Sequence, residues 1–223
     1  MDANFHFLNI MIHVVSGTLA LLIGSIILIR KKGTLFHKKA GFWFAVLMAC
    51  IFITGVAGVI IFKRNLFLLV ITVLVGYNTY SGIRIVKIKS NVLYGKDILA
   101  MIAAVAITLY FLYYLQSVGL YWNPVIIYST VGYLFLVILY DIGRYCIPEK
   151  RYQNLWLYEH SCKLISALGG LFSAFAGTVL PQYKPYSQIL PSLVMTLVMI
   201  FFVIKLYREQ KQRNRSENEI SEK

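Results

Sequence analysis

Seven stretches of roughly twenty apolar residues follow one another with only short polar linkers between them, and this pattern limits the fold more than any other feature. A helix of about 20 residues crosses the ~30 Å hydrocarbon core of a bilayer and satisfies its own backbone while doing so. The blocks run from about Phe7 to Ile29, Phe42 to Phe62, Leu66 to Ile85, Ile98 to Leu115, Val125 to Tyr145, Leu155 to Leu180, and Ile189 to Tyr207. Short alternating strands with turn signals are absent, which argues against an outer-membrane barrel. The fold class that follows is all-α: a polytopic membrane helical bundle of about seven transmembrane helices.

Composition agrees. Of 223 residues 59% are hydrophobic and 14% charged, where a soluble domain carries about a quarter charged residues. The first block has no basic residue before it and is longer than the core of a cleavable signal, so it reads as a retained helix. Residues 1–207 form one transmembrane domain. The tail 208–223 is charged, has Ile220 as its sole apolar residue, and is expected to be disordered or a frayed extension of the last helix. Three cysteines, Cys50, Cys146 and Cys162, with no CxxC spacing, give no disulfide or zinc framework.

The net charge of +13 would suggest nucleic acid in a soluble protein. Here the bases lie between apolar blocks, so they orient the chain and meet anionic lipid headgroups; no nucleic-acid partner is expected. They alternate by linker. Arg30 to Lys39, Arg84 to Lys96, Arg144 to Arg151 and the last helix with its tail hold all but four of the 22 bases. The intervening linkers hold Lys63, Arg64 and Lys184, and Lys163 lies within a block. Bases gather on the cytoplasmic side, which predicts an outside N-terminus, a cytoplasmic tail and an odd number of crossings in a cell membrane. Trp43, Trp122 and Trp156 lie near block ends, and the run from Tyr110 to Trp122 marks the outer end of the fourth block, as an interfacial belt does.

Polar groups inside the apolar blocks are the candidates for chemistry, because each is costly in lipid without a partner. In the first block Asn9, His13, Ser16, Gly17, Ala20 and Gly24 share one face, and His13 points into the bundle. In the sixth, Glu159, Lys163, Ser166, Gly170, Ser173 and Gly177 share a narrow face, which makes this helix the expected centre of the bundle. Gly169, Ser173 and Gly177 repeat at the spacing of a close helix crossing. Glu159 and Lys163 stand four apart in the favourable order for an ion pair. One reading is a salt bridge with the lysine reaching out to the interface; the other is a polar pocket open to the cytoplasm, with Asn78, Ser81 and Asp141 at similar depth. His160 borders that face, and His37 lies in the basic first loop on the same side. His13, His37 and His160 are the candidate cofactor ligands, and their placement permits one redox site but not two stacked haems. Walker A, HExxH, GxSxG and EF-hand patterns are absent.

The runs His13-Val14-Val15-Ser16-Gly17, His37-Lys38-Lys39-Ala40-Gly41 and Leu155-Trp156-Leu157-Tyr158-Glu159-His160 resemble the signatures of a large family of bacterial integral membrane proteins of unknown function. The resemblance covers most of the chain. It singles out His13, His37, Gly41 and His160, and implies a bacterial inner-membrane location but no reaction, substrate or cofactor. Lys163-Leu164 departs from it where a methionine often follows the sixth-helix histidine. Three functions stay open from the sequence: a small membrane redox or haem- or metal-binding protein, a transporter or channel for a small solute or a proton, and a structural, sensory or accessory subunit.

Overall fold

The structure, a computed structural model, describes residues 3–62, 67–118 and 123–221. Lys63, Arg64, Tyr121 and Trp122, used above for topology and the aromatic belt, lie outside these residues. The described residues form helices α1 (Ala3–Ile29), α2 (Leu35–Ile60), α3 (Phe67–Ile88), α4 (Gly95–Val118), α5 (Pro124–Gly143), α6 (Glu149–Tyr152), α7 (Trp156–Val179) and α8 (Tyr186–Ser221). All but α6 are long and apolar enough to cross a membrane, as the seven blocks require of a helical bundle. Their outer faces keep large apolar side chains exposed, for example Leu22, Ile53, Leu99, Leu136 and Phe201. That is the surface a lipid-facing bundle presents.

Local signals set the helix ends. Thr34 caps α2, its hydroxyl accepting from the His37 amide. Gly33 ahead of it takes a left-handed φ of +77°, which a residue with a Cβ adopts only at a cost. Asn123 caps α5 and Pro124 occupies its first turn. Two boundaries differ from expectation. The second helix starts at Leu35, seven residues before the apolar block, because the Thr34 cap admits a polar first turn. His37 is therefore a helical residue and not a loop residue. The last helix continues past Arg208 to Ser221.

Consecutive long helices pack antiparallel, so the basic linkers gather at one end of the bundle, called here the basic end. The centre is α3, not α7. In its most apolar stretch 61% of residues are buried, against 39% in α7 and 6% in α8. Three apolar clusters make up the core, and α3 is the one helix in all of them. Val75 joins Ala20, Met48, Leu168 and Met195; Leu69 and Val73 join Ala104, Leu134 and Ile138; Val70 joins Phe111, Ile127 and Val131. The reason lies in the polar content of α3: Asn78, Thr79, Ser81 and Arg84 fall within three turns and must be kept from lipid.

Helix α7 packs between α3 and α8, and its small residues set the distances. A Cβ on Gly170 would lie 2.5 Å from Val75 Cγ2 of α3. One on Gly177 would lie 2.5 Å from Gln188 Cγ of α8, and one on Gly169 3.0 Å from Met195 Cβ. Ser173 bonds Ser192 of α8 at 2.6 Å. The small face thus splits between two neighbours. On α1, Ser16 and Ala20 are buried, and Gly24 sits against Leu168 and Phe44.

Candidate functional site

At the basic end, α5, the turn that follows it and α7 bring two acidic and two basic side chains into one enclosed set. Asp141, Arg144, Glu159 and Lys163 are each at most 5% exposed. The Lys163 ammonium donates to Asp141 Oδ1 and lies 3.6 Å from Glu159 Oε2. Arg144 Nη1 donates to Glu159 Oε2 at 2.8 Å and stands 3.7 Å from Asp141 Oδ1. Tyrosines complete the set. Tyr77 of α3 donates to Asp141 Oδ2 at 2.7 Å, Tyr140 donates to Glu159 Oε1 at 2.7 Å, and Arg144 Nη2 donates to the Tyr145 hydroxyl at 2.9 Å. Tyr152 of α6, completely buried, closes the end; burial and the neighbouring Glu159 push its hydroxyl well above the ordinary tyrosine range. Two acids against two bases leave the set formally neutral, the condition under which buried charges are tolerated.

This overturns the picture of Lys163 as a side chain reaching outward. It is 4% exposed and turned inward onto Asp141, a carboxylate on a different helix. Sequence reasoning assigned Arg144 to a solvent-facing linker and missed it as a partner. A signal was present: Asp141 and Glu159 lie at the ends of apolar blocks, each needs a base, and Arg144 stands three residues from Asp141. Nothing comparable marks Tyr77, Tyr140 or Tyr152 among the 16 tyrosines of the chain.

Beside this set lies a histidine pair. The His37 and His160 rings are 6.4 Å apart and edge-on. His160 Nδ1 is 2.9 Å from the Gly82 carbonyl of α3, so it is the donor there and Nε2 is the open nitrogen. His37 Nδ1 is buried and has no hydrogen-bond partner. The structure thus brings His37 to His160 but separates both from His13, which lies in the opposite half. Among the described residues no group of three His, Cys, Asp or Glu is placed to hold a metal; the pair offers two imidazoles. Asn78 and Ser81 are buried on α3. Asn78 Nδ2 donates to the Leu74 carbonyl at 3.0 Å, while Asn78 Oδ1 and Ser81 Oγ have no protein partner.

His13 belongs to a separate cavity of about 270 Å³ between α1, α2, α3 and α7. Its Nδ1 pairs with Thr54 Oγ1 at 2.8 Å, and Asn9 Nδ2 donates to the Thr54 carbonyl at 3.1 Å. Thr72, Gly76 and Gly170 line the inner wall. Gly76 is adjacent in sequence to Tyr77, so α3 runs from the cavity wall directly into the ionic set. The molecule carries a mostly apolar cavity, edged by Asn9, His13 and Thr54, in one half and a closed ionic set in the other, joined by α3 and α7. Comparison with protein-family models, with curated proteins and with solved structures gives no match.

Proposed function

We propose that this chain is a multi-pass cell-membrane protein that moves protons, alone or with a small solute, with its basic end at the cytoplasm. The observation that carries this reading is the enclosed set of Asp141, Arg144, Glu159 and Lys163, buried at the basic end of the bundle where α5 ends and α7 begins. Ionisable groups buried in a membrane bundle are costly, and proton relays and coupled carriers are a principal use of them. A purely structural clamp between α5 and α7 needs no charge, since apolar residues of similar volume hold helices as well or better. The cavity beside His13 and Asn9, in the half away from the basic end, would serve as the entry. Tyr77, next in sequence to the cavity residue Gly76, donates to Asp141, and Asn78 Oδ1 and Ser81 Oγ are buried acceptors of the kind water satisfies. In this conformation the set closes the basic end. Passage of a proton would exchange the partners of Asp141 between Lys163, Arg144 and Tyr77. The test is proton flux into vesicles holding the purified protein, wild type against the charge-neutral variant Asp141→Asn/Lys163→Met. Loss of flux in a folded variant supports the reading; unchanged flux rejects it.

The histidine pair favours a second reading, a transition metal or haem held between His37 and His160. Its support is the 6.4 Å separation of the rings and the open Nε2 of His160. An absorption spectrum of the purified protein, with metal analysis, separates it from the first. A Soret band or one metal per chain, lost in His160→Ala, supports it; a featureless spectrum with no metal rejects it.

A further inference from the structure

We propose that α2, α3 and α4 hold one anionic phospholipid from the leaflet at the basic end, with an acyl chain between the helices and its phosphate at Arg84, Lys87 and Lys96. Two adjoining hollows carry this. The first is an apolar groove of about 490 Å³, whose floor is kept low by Ala45, Ala49, Ala100, Ala103 and Ala104. The second is an open cleft at the basic end, lined by Arg84, Lys87 and Lys96 and sharing Tyr80 and Ile83 with the groove. Along α3 the groove runs from Val73 to Ile83, about 15 Å at ~1.5 Å per residue and half of the ~30 Å hydrocarbon core. An apolar slot one leaflet deep with a basic mouth has the shape and charge of a phospholipid of negative headgroup, and not of a helix from a protein partner.

The mouth is more than scattered surface lysines. Arg84 is nine-tenths buried and ion-paired through Nε with Asp97. Its Nη2 donates to the Val92 carbonyl at 3.0 Å and its guanidinium lies over the Tyr94 ring at 5.2 Å. Its Nη1 is buried with no acceptor in the protein. A guanidinium held on three sides with one nitrogen left unpartnered is suited to a phosphate oxygen. Asp97 is also fixed by the Tyr80 hydroxyl and the Tyr94 amide, so it neutralises Arg84 alone. Among the described residues Lys87 and Lys96 have no ion-pair partner, which leaves the mouth at a net +2.

The proposal does not rest on the proton reading, although Tyr77 also lines the groove, and its readout needs no transport. The full chain in neutral detergent is titrated with palmitoyl-oleoyl phosphatidylglycerol, with the corresponding phosphatidylcholine, and with inorganic phosphate, and bound lipid is counted by native mass spectrometry. One phosphatidylglycerol per chain should bind in preference to phosphatidylcholine. Lys87→Gln/Lys96→Gln, both exposed positions, should weaken it roughly 25-fold, about a factor of five for each lysine near a headgroup. Ala103→Trp, which fills the groove and leaves the mouth intact, should also remove it. Equal binding of the two lipids, binding unchanged in either variant, or inorganic phosphate binding as tightly as the lipid would each overturn the proposal.

Discussion

Replacing Lys163 by methionine keeps the length of the side chain and deletes the ammonium that Asp141 and Glu159 share. Two carboxyl groups would then depend on one guanidinium, at 2.8 Å from Glu159 and 3.7 Å from Asp141. Removing one member of a buried ion pair costs about 3–5 kcal/mol, since the partner is left without compensation. The Tyr77 hydroxyl donates to Asp141 before and after the change, so the carboxylate is not left bare and the cost falls at the low end of that range. Lys163→Met should therefore destabilise by about 3 kcal/mol. Asp141→Asn alone leaves Lys163 with only the distant Glu159, at 3.6 Å, and should cost a similar amount. The double variant restores neutrality, and the asparagine still accepts from Tyr77. Its cost should fall to about 1 kcal/mol, so the cycle should show a coupling of several kcal/mol. The assay is equilibrium unfolding in mixed micelles of dodecyl sulfate and a mild detergent, followed by circular dichroism. A single-variant cost below about 1 kcal/mol, or a double-variant cost equal to the sum of the singles, would refute the claim that these groups form one neutral set.

Two further outcomes follow from packing and topology. Gly170→Leu should lower stability by about 1–3 kcal/mol, because its first carbon already meets Val75, whereas Gly132→Leu, with nothing within 4 Å of the added carbon, should be close to neutral; equal melting temperatures for the two would contradict the assigned helix faces. Activity reporters joined after Ile29, Phe62 and Tyr207 should read cytoplasmic, outside and cytoplasmic in turn, and an outside signal at Tyr207 would overturn both the orientation and the odd number of crossings.

The bundle was legible because lipid allows so few backbone solutions that seven apolar blocks already imply seven helices. The helix ends were less so. Thr34 extends α2 over a polar turn that hydropathy reads as loop, and that turn carries His37. The centre of the bundle was misplaced because the small face of α7 is conspicuous, while α3 hides its polar residues among valines and isoleucines. Asp141, Glu159 and Lys163 stood out as charges in apolar blocks, but their pairing depends on helix rotation, which no single segment encodes. Lys163 turning to Asp141 on another helix, and Arg144 turning from linker to core, are consequences of how α5 meets α7. The division of the three histidines between two halves of the molecule has the same origin: His13 and His160 project from helices whose mutual register is set by Gly24 against Leu168.

The most direct measurement of the central claim is proton flux into liposomes that contain the purified protein and a pH-sensitive dye, driven by a potassium diffusion potential. Wild-type vesicles should acidify well above protein-free vesicles. Vesicles with Asp141→Asn/Lys163→Met, folded and inserted to the same extent, should acidify no faster than protein-free ones. Wild-type flux at the protein-free level, or full flux in the double variant, would contradict the assignment of the Asp141–Arg144–Glu159–Lys163 set to proton movement.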